Sequence, residues 1–150
     1  MNNSALLAAT TLILGAGGAA MAQVTVETPG WYEFTMKAGD GALGAAGVPF
    51  LNECPAGKHG FVSVRGGRFV DGKGDRIRFF ATNLTATACF PEKADAGRLA
   101  KRLRALGFNL VRLHFMDIEK PSGLFDHDLL SIDPGQLDRL DNLVASLKAE

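Results

Sequence analysis

The stretch GFNLVRLHFMD, residues 107–117, most constrains how this chain can fold. As a strand it has two faces of different character, because successive side chains point to opposite sides. One face ends in polar groups and consists of Leu110, Arg112 and His114. The other is wholly apolar and consists of Val111, Leu113 and Phe115. Strands of a (β/α) barrel carry their chemistry on the lumen side of their carboxyl ends. The stretch therefore predicts a buried parallel barrel strand whose polar face belongs to a site.

Segments with helical periodicity precede and follow this strand. Pro91 introduces a helix with an apolar stripe formed by Ala96, Leu99, Ala100, Leu103 and Leu106. Gly107 is expected to end that helix in a left-handed conformation. A second helix is predicted to start at Asp133 as N-cap, with Pro134 in the first position and Gln136 as capping-box partner. Its predicted apolar stripe consists of Leu137, Leu140, Val144 and Leu147.

The predicted elements follow one another in the order of a barrel. Two short β-segments, 61–64 and 68–70, flank a Gly-Gly turn, and a second turn precedes a strand-like run over 77–84. From residue 77 the order is strand, helix, strand, long loop (116–132) and helix, a right-handed series of βα units. The predicted fold class is α/β: the N-terminal portion of a (β/α)8 (TIM) barrel, its first two βα units preceded by short antiparallel β-hairpins. A complete barrel takes about 250 residues, so 61–150 is expected to be an incomplete barrel domain.

Residues 1–22 are predicted to be a secretory signal peptide. An apolar run over 5–14 precedes the small residues Ala20 and Ala22, and glycines break the run before it is long enough to span a bilayer. The protein is therefore expected to be secreted or periplasmic, without membrane association after cleavage.

Residues 23–60 are predicted to form an extended N-terminal segment. In it Trp31 and Tyr32 offer a sugar-stacking surface or an anchor on the core. Export would also permit a disulfide between Cys54 and Cys89, whose pairing the sequence leaves open.

The charge balance narrows the classes of partner. The chain carries 16 Lys and Arg against 16 Asp and Glu, which provides no electrostatic footprint for nucleic acid. The cysteines lack the spacing of a zinc site, and no cofactor is expected.

Four segments carry a resemblance to a known family: GRFVDGKGDRIRFFATNL, AGRLAKRLRALG, FNLVRLHFMD and LDRLDNLVASLK. Together they resemble the N-terminal quarter of secreted cellulase-type glycoside hydrolases, in or near glycoside hydrolase family 5 of clan A. The resemblance covers residues 57–150, and G-F-N-x-V-R-L after an amphipathic helix is its strongest cue. It implies a barrel that hydrolyses β-linked poly- or oligosaccharides with retention, through two glutamates on the fourth and seventh strands. Neither position lies in this chain, so these 150 residues alone are expected to be inactive.

The resemblance also suggests site residues. Arg112 matches the family's arginine at the end of the second strand, where it would hold the nucleophile carboxylate ionised and oriented; a structural pairing with any buried carboxylate is the alternative. His114, Asn83 and Asp117 are the substrate-binding candidates. A buried, satisfied histidine and a solvated loop carboxylate are the alternatives for His114 and Asp117.

Two other function classes remain open from the sequence. One is a non-catalytic carbohydrate-binding or surface protein with a closed β fold. The other is a barrel enzyme of different chemistry, such as a metal-dependent hydrolase that uses His114, Asp117, His127 and Asp128. The oligomeric state is not predicted.

Overall fold

A computed structural model describes Gly30 and residues 43–150. The chain divides into two units, Met1–Phe34 and Thr35–Glu150, and every helix and strand named below lies in the second. The predicted signal peptide, Trp31 and Tyr32 lie outside the described residues. Within residues 43–150, no helix combines the length and apolar character needed to cross a membrane.

The predicted hairpin is confirmed. Strands β1 (Ser63–Arg65) and β2 (Arg68–Val70) pair antiparallel around the Gly-Gly turn. The next turn is closed by Asp71, whose carboxylate accepts hydrogen bonds from the backbone N–H groups of Lys73 and Asp75. A side chain that bonds the backbone two and four residues on forms a turn from local sequence alone.

A parallel strand pair forms the centre of the second unit. Strand β3 (Ala81–Thr85) pairs with β4 (Leu110–His114) in register from Ala81 opposite Leu110 to Thr85 opposite His114. Helix α1 (Lys93–Ala105) connects them, so the predicted βαβ unit is confirmed.

The first strand of this unit is shorter than the predicted 77–84. The side chain of Asn109 accepts from Phe80 N–H at 2.8 Å and donates to Arg78 C=O at 2.9 Å. Asn109 N–H also donates to Phe80 C=O at 3.0 Å, so before Ala81 the two segments are joined mainly through one asparagine and not by a regular ladder.

Helix α1 follows its predicted pattern. Ala96, Ala100 and Leu103 are buried, and Gly107 has a φ of +82° just past the helix end. A Cβ at Gly107 would lie 2.8 Å from Val48 Cγ2, so both conformation and space favour glycine there.

Helix α2 (Pro134–Ala149) begins at the predicted cap, since Asp133 accepts from the N–H of Gln136 at 2.8 Å. The capping-box prediction for the Gln136 side chain is wrong. That side chain is buried and donates to the carbonyls of Pro121 and Gly123. It therefore ties the first turn of the helix to the preceding loop.

The predicted stripe of α2 is partly wrong. Leu137 and Val144 are exposed, whereas Leu143 is fully buried beside Leu140. Leu140 is buried as predicted and Leu147 packs against the core, while Gln136 and Leu143 are buried in place of Leu137 and Val144.

The core lies on one face of the β3–β4 pair. Both helices and the 3-10 turn Ala86–Cys89 contribute to it; its buried members are Leu84, Cys89, Phe90, Ala96, Leu140 and Leu143. Val111 and Leu113 pack against it from β4. The described residues thus form a mixed α/β fold with two small sheets, and the complete barrel stays a prediction.

Residues 43–60 form two 3-10 turns, Gly44–Ala46 and Pro49–Leu51. The segment is attached near the carboxyl ends of both helices, where Val48 N–H donates to Ala105 C=O and Ala56 N–H to Lys148 C=O. Cys54 and Cys89 are both free. The Cys54 thiol faces Ala149 C=O in α2, whereas Cys89 is buried beside β3, so no disulfide joins them.

Candidate functional site

The face of the β3–β4 pair opposite the core is open and polar. Asn83 lies directly opposite Arg112, and Thr85 lies opposite His114. Neighbours in a parallel register point to the same side, so these four side chains share one surface. Asn83, Thr85 and Arg112 are exposed and His114 is half-buried. The structure brings the predicted residues Asn83, Arg112 and His114 to one face, and their roles stay predictions.

Arg112 and His114 are joined by a hydrogen bond of 3.0 Å between Arg112 Nη2 and His114 Nδ1. A guanidinium has only donors, so Nδ1 accepts and the proton of the neutral ring lies on Nε2. His114 therefore presents an N–H donor on its other edge. Within residues 43–150 Arg112 forms no ion pair with a carboxylate, which leaves its remaining N–H groups available to an anion or a hydroxyl.

Asn83 and Asp117 differ in their relation to this pair. Asn83 donates from Nδ2 to Thr85 Oγ1 at 3.1 Å, which orients its amide along the open face. Asp117 is exposed in the loop after β4, and among the described residues it makes no hydrogen bond with Asn83, Arg112 or His114. Of the predicted site residues, Asn83, Arg112 and His114 thus share the face of the β3–β4 pair, whereas Asp117 lies in the loop after β4.

Phe115 departs from its predicted place on the helix-facing side with Val111 and Leu113. Strand β4 ends at His114, and Phe115 adopts a φ of +53°. Its side chain is 54% exposed, and its ring centroid lies 6.3 Å from that of His114. A left-handed conformation at a bulky residue costs about 1–3 kcal/mol. The turn of the backbone takes the aromatic ring out of the core and leaves it beside His114.

The loop 116–132 after this strand is held by its own hydrogen bonds. Leu124 N–H donates to Met116 C=O at 2.8 Å. The backbone of Phe125 forms isolated β-bridges with Glu119 and with Ile132. Lys120 Nζ lies 2.9 Å from Asp133 Oδ2 and 3.2 Å from Asp126 Oδ1. These contacts connect the loop to the start of α2.

The electrostatics of the loop follow from those contacts. Hydrogen bonds to Asp133 and Asp126 raise the pKa of Lys120. The bond from Lys120 and the backbone N–H of Gln136 lower the pKa of Asp133. The backbone N–H of His127, and then Lys120, lower the pKa of Asp126. Each of these contacts therefore favours the charged form of its group.

The loop residues considered for a metal are used in other contacts. His127 pairs with Glu119, and Asp128 accepts from the hydroxyl of Ser131. Hydrogen bonds from the backbone of Leu130 and then of Ser131 lower the pKa of the Asp128 carboxyl. Among the residues described, no group of three or more His, Cys, Asp or Glu side chains is placed to hold a metal ion. His114, Asp117, His127 and Asp128 do not form such a group.

Cys89 is a structural feature near the site that sequence reasoning missed. Its thiol faces the carbonyls of Leu84 and His114 at 3.3 and 3.9 Å, close to the carboxyl ends of both strands. Burial raises the pKa of this thiol, so it stays protonated and can donate. The only sequence signal was its position just after the first strand.

A cavity of about 450 Å³ lies elsewhere in the second unit. Its walls are largely apolar and include Val62, Val111 and Leu147, with Glu53 and Arg104 among the charged residues. Neither Asn83, Arg112 nor His114 lines it. The cavity is therefore separate from the polar face.

No protein-family model, no curated protein and no solved structure matches the chain.

Proposed function

We propose that residues 61–150 form the first two βα units of a (β/α)8 barrel in an exported glycoside hydrolase. The substrate class is a β-linked poly- or oligosaccharide, and the reaction retains the anomeric configuration. Its two catalytic glutamates would come from strands outside this chain. Export is part of the proposal, supported by the signal-like pattern of residues 1–22.

The observation that carries the proposal is the one-sided covering of the parallel strand pair. Strands of doubly wound sheets are buried on both faces and read as continuous apolar runs. Here both helices contribute to the core on one face, through Ala96 and Leu143, and the other face carries Asn83, Arg112 and His114. In a barrel enzyme, helices cover the apolar outer face of the strands, and polar side chains lie on the inner face at the carboxyl ends of the strands.

The contacts of Arg112 are consistent with a role in orienting a catalytic carboxylate. Its guanidinium is positioned by His114 and has no carboxylate partner among the described residues. A carboxylate on a neighbouring strand would accept charge-assisted hydrogen bonds from it, which would keep that carboxylate ionised and fix its direction. A retaining nucleophile needs both properties.

The two alternatives receive less support. Helices α1 and α2 occupy segments that a closed β fold would need as strands. Of the loop residues that a metal-dependent hydrolase would use, His127 pairs with Glu119 and Asp128 accepts from Ser131. The glycosidase proposal therefore accounts for more of the described contacts.

The test is hydrolysis by the protein expressed from its complete reading frame. The purified protein is assayed on barley β-glucan, glucomannan and xylan, with product anomers followed by proton NMR. We expect turnover with retention, and a fall in kcat of about 10²–10³ for Arg112→Met, the usual loss when an oriented donor is removed from a catalytic site.

Two controls make the assay specific. Arg98→Met removes an exposed arginine of α1 that pairs only locally with Asp95, and it should leave kcat unchanged. Amino-terminal sequencing of protein from the culture medium or periplasm should find a start near Gln23. No turnover on any of the three substrates, or equal losses for both arginine variants, would contradict the proposal.

A further inference from the structure

The surface beside the Arg112–His114 pair carries an aromatic ring that the fold leaves open. Phe115 follows the last residue of β4, has a φ of +53° and is 54% exposed. Regular continuation of the strand would have placed it with Val111 and Leu113, against the core. The backbone instead turns the ring away from that apolar contact.

The neighbour of this ring is a directed hydrogen-bond donor. The rings of His114 and Phe115 lie 6.3 Å apart with 43° between their planes. Arg112 occupies His114 Nδ1, so the free edge of the imidazole carries the N–H at Nε2. An apolar ring and an N–H donor therefore stand side by side at the carboxyl end of β4.

From this juxtaposition we infer that Phe115 and His114 form a subsite for one pyranose unit of a β-linked oligosaccharide. A pyranose has an apolar C–H face and a rim of hydroxyl groups. The Phe115 ring covers the C–H face, as aromatic rings cover other flat apolar surfaces, and His114 Nε2–H donates to a hydroxyl at the rim. Arg112 acts here as a positioning residue that fixes the tautomer of His114.

The inference rests on the proposed function and names the residues that recognise its substrate. Its test uses isothermal titration of cellohexaose and mannohexaose into the protein expressed from its complete reading frame, with the predicted seventh-strand glutamate replaced by glutamine throughout so that the sugar binds without being hydrolysed. We expect Phe115→Ala to raise Kd about tenfold or more, and Phe115→Trp to retain binding. His114→Leu should weaken binding about tenfold, whereas His114→Gln, whose amide keeps a donor near the Nε2 position, should stay within about threefold.

Phe61→Ala is the matched control, because Phe61 is 97% exposed and lies before β1. Its Kd should equal that of the wild type. Phe115→Trp adds a direct readout: after the wild-type fluorescence, which includes Trp31, is subtracted, the remaining emission should shift on addition of oligosaccharide, whereas that of Phe61→Trp should stay constant. These exposed positions also allow the variants to fold.

The possible outcomes distinguish a failure of the Phe115–His114 subsite from a failure of the glycosidase proposal. Oligosaccharide binding with an unchanged Kd in Phe115→Ala would overturn the subsite and leave the glycosidase proposal standing. An equal loss in His114→Gln and His114→Leu would overturn the donor role of His114. The absence of both binding and hydrolysis for any β-linked sugar would overturn the proposed function and the subsite with it.

Discussion

Replacing Gln136 by leucine is expected to lower the free energy of unfolding by about 1.5–4.5 kcal/mol. The buried amide donates to Pro121 C=O at 2.8 Å and to Gly123 C=O at 2.9 Å. Pro121 is exposed, so water can replace the first bond, and its loss costs about 0.5–1.5 kcal/mol. Gly123 is buried, and leaving its carbonyl without a donor adds about 1–3 kcal/mol.

Urea denaturation of the purified protein measures this loss, and hydrogen exchange locates it. Amides of the loop 116–132 should exchange faster in Gln136→Leu, because the amide is the link between the loop and α2. Asp141→Leu is the control, since it places leucine at an exposed position of the same helix and should change stability by less than about 0.5 kcal/mol. A Gln136→Leu effect as small as that of the control would refute the bridging role.

Three further changes test the loop and the core. In Lys120→Met, Asp133 loses the cation that lowers its pKa. The variant should be less stable than wild type above pH 4, and the difference should vanish towards pH 2 because the Asp133 carboxylate is then protonated in both proteins. A pH-independent difference in urea midpoints would contradict this. Gly123→Ala would bring a Cβ within 2.0 Å of Ile118 C=O, so thermal denaturation should show a clearly lower Tm than wild type. Leu143→Ala should cost about 2–5 kcal/mol in urea denaturation, because Leu143 is fully buried; a loss below about 1 kcal/mol would place it outside the core.

Local patterns in the sequence predicted much of the described fold. The alternation of residues 110–114, the proline and aspartate at the start of α2 and the glycine after α1 each set backbone geometry through their own chemistry. These signals require no knowledge of distant residues. That is why the presence of β4, the carboxyl end of α1, the start of α2 and the Gly-Gly hairpin were predicted correctly.

The errors occurred where a distant contact decided the outcome. The Asn109 side chain bonds Phe80 N–H and Arg78 C=O, and β3 begins at Ala81. Gln136 bonds the loop instead of its own helix, and Leu143 is buried in place of Val144. Phe115 leaves the strand geometry altogether, although the period of the strand predicted a core position.

The candidate site was predicted in part for the same reason. The strand period placed Arg112 and His114 on one face from the sequence, whereas the register that sets Asn83 opposite Arg112 comes from the structure. The hydrogen bond that sets the His114 tautomer and the exposed ring of Phe115 depend on side-chain and backbone torsions. No periodicity encodes those torsions.

The most direct test of the barrel proposal is to read the coding DNA beyond codon 150. The account predicts a frame that continues with further strand and helix repeats, for about 150–200 more residues to complete a barrel. It also predicts an Asn-Glu pair at the end of a fourth strand and a second glutamate at the end of a seventh. A stop codon directly after Glu150, or a continuation without those two glutamates, would contradict the account.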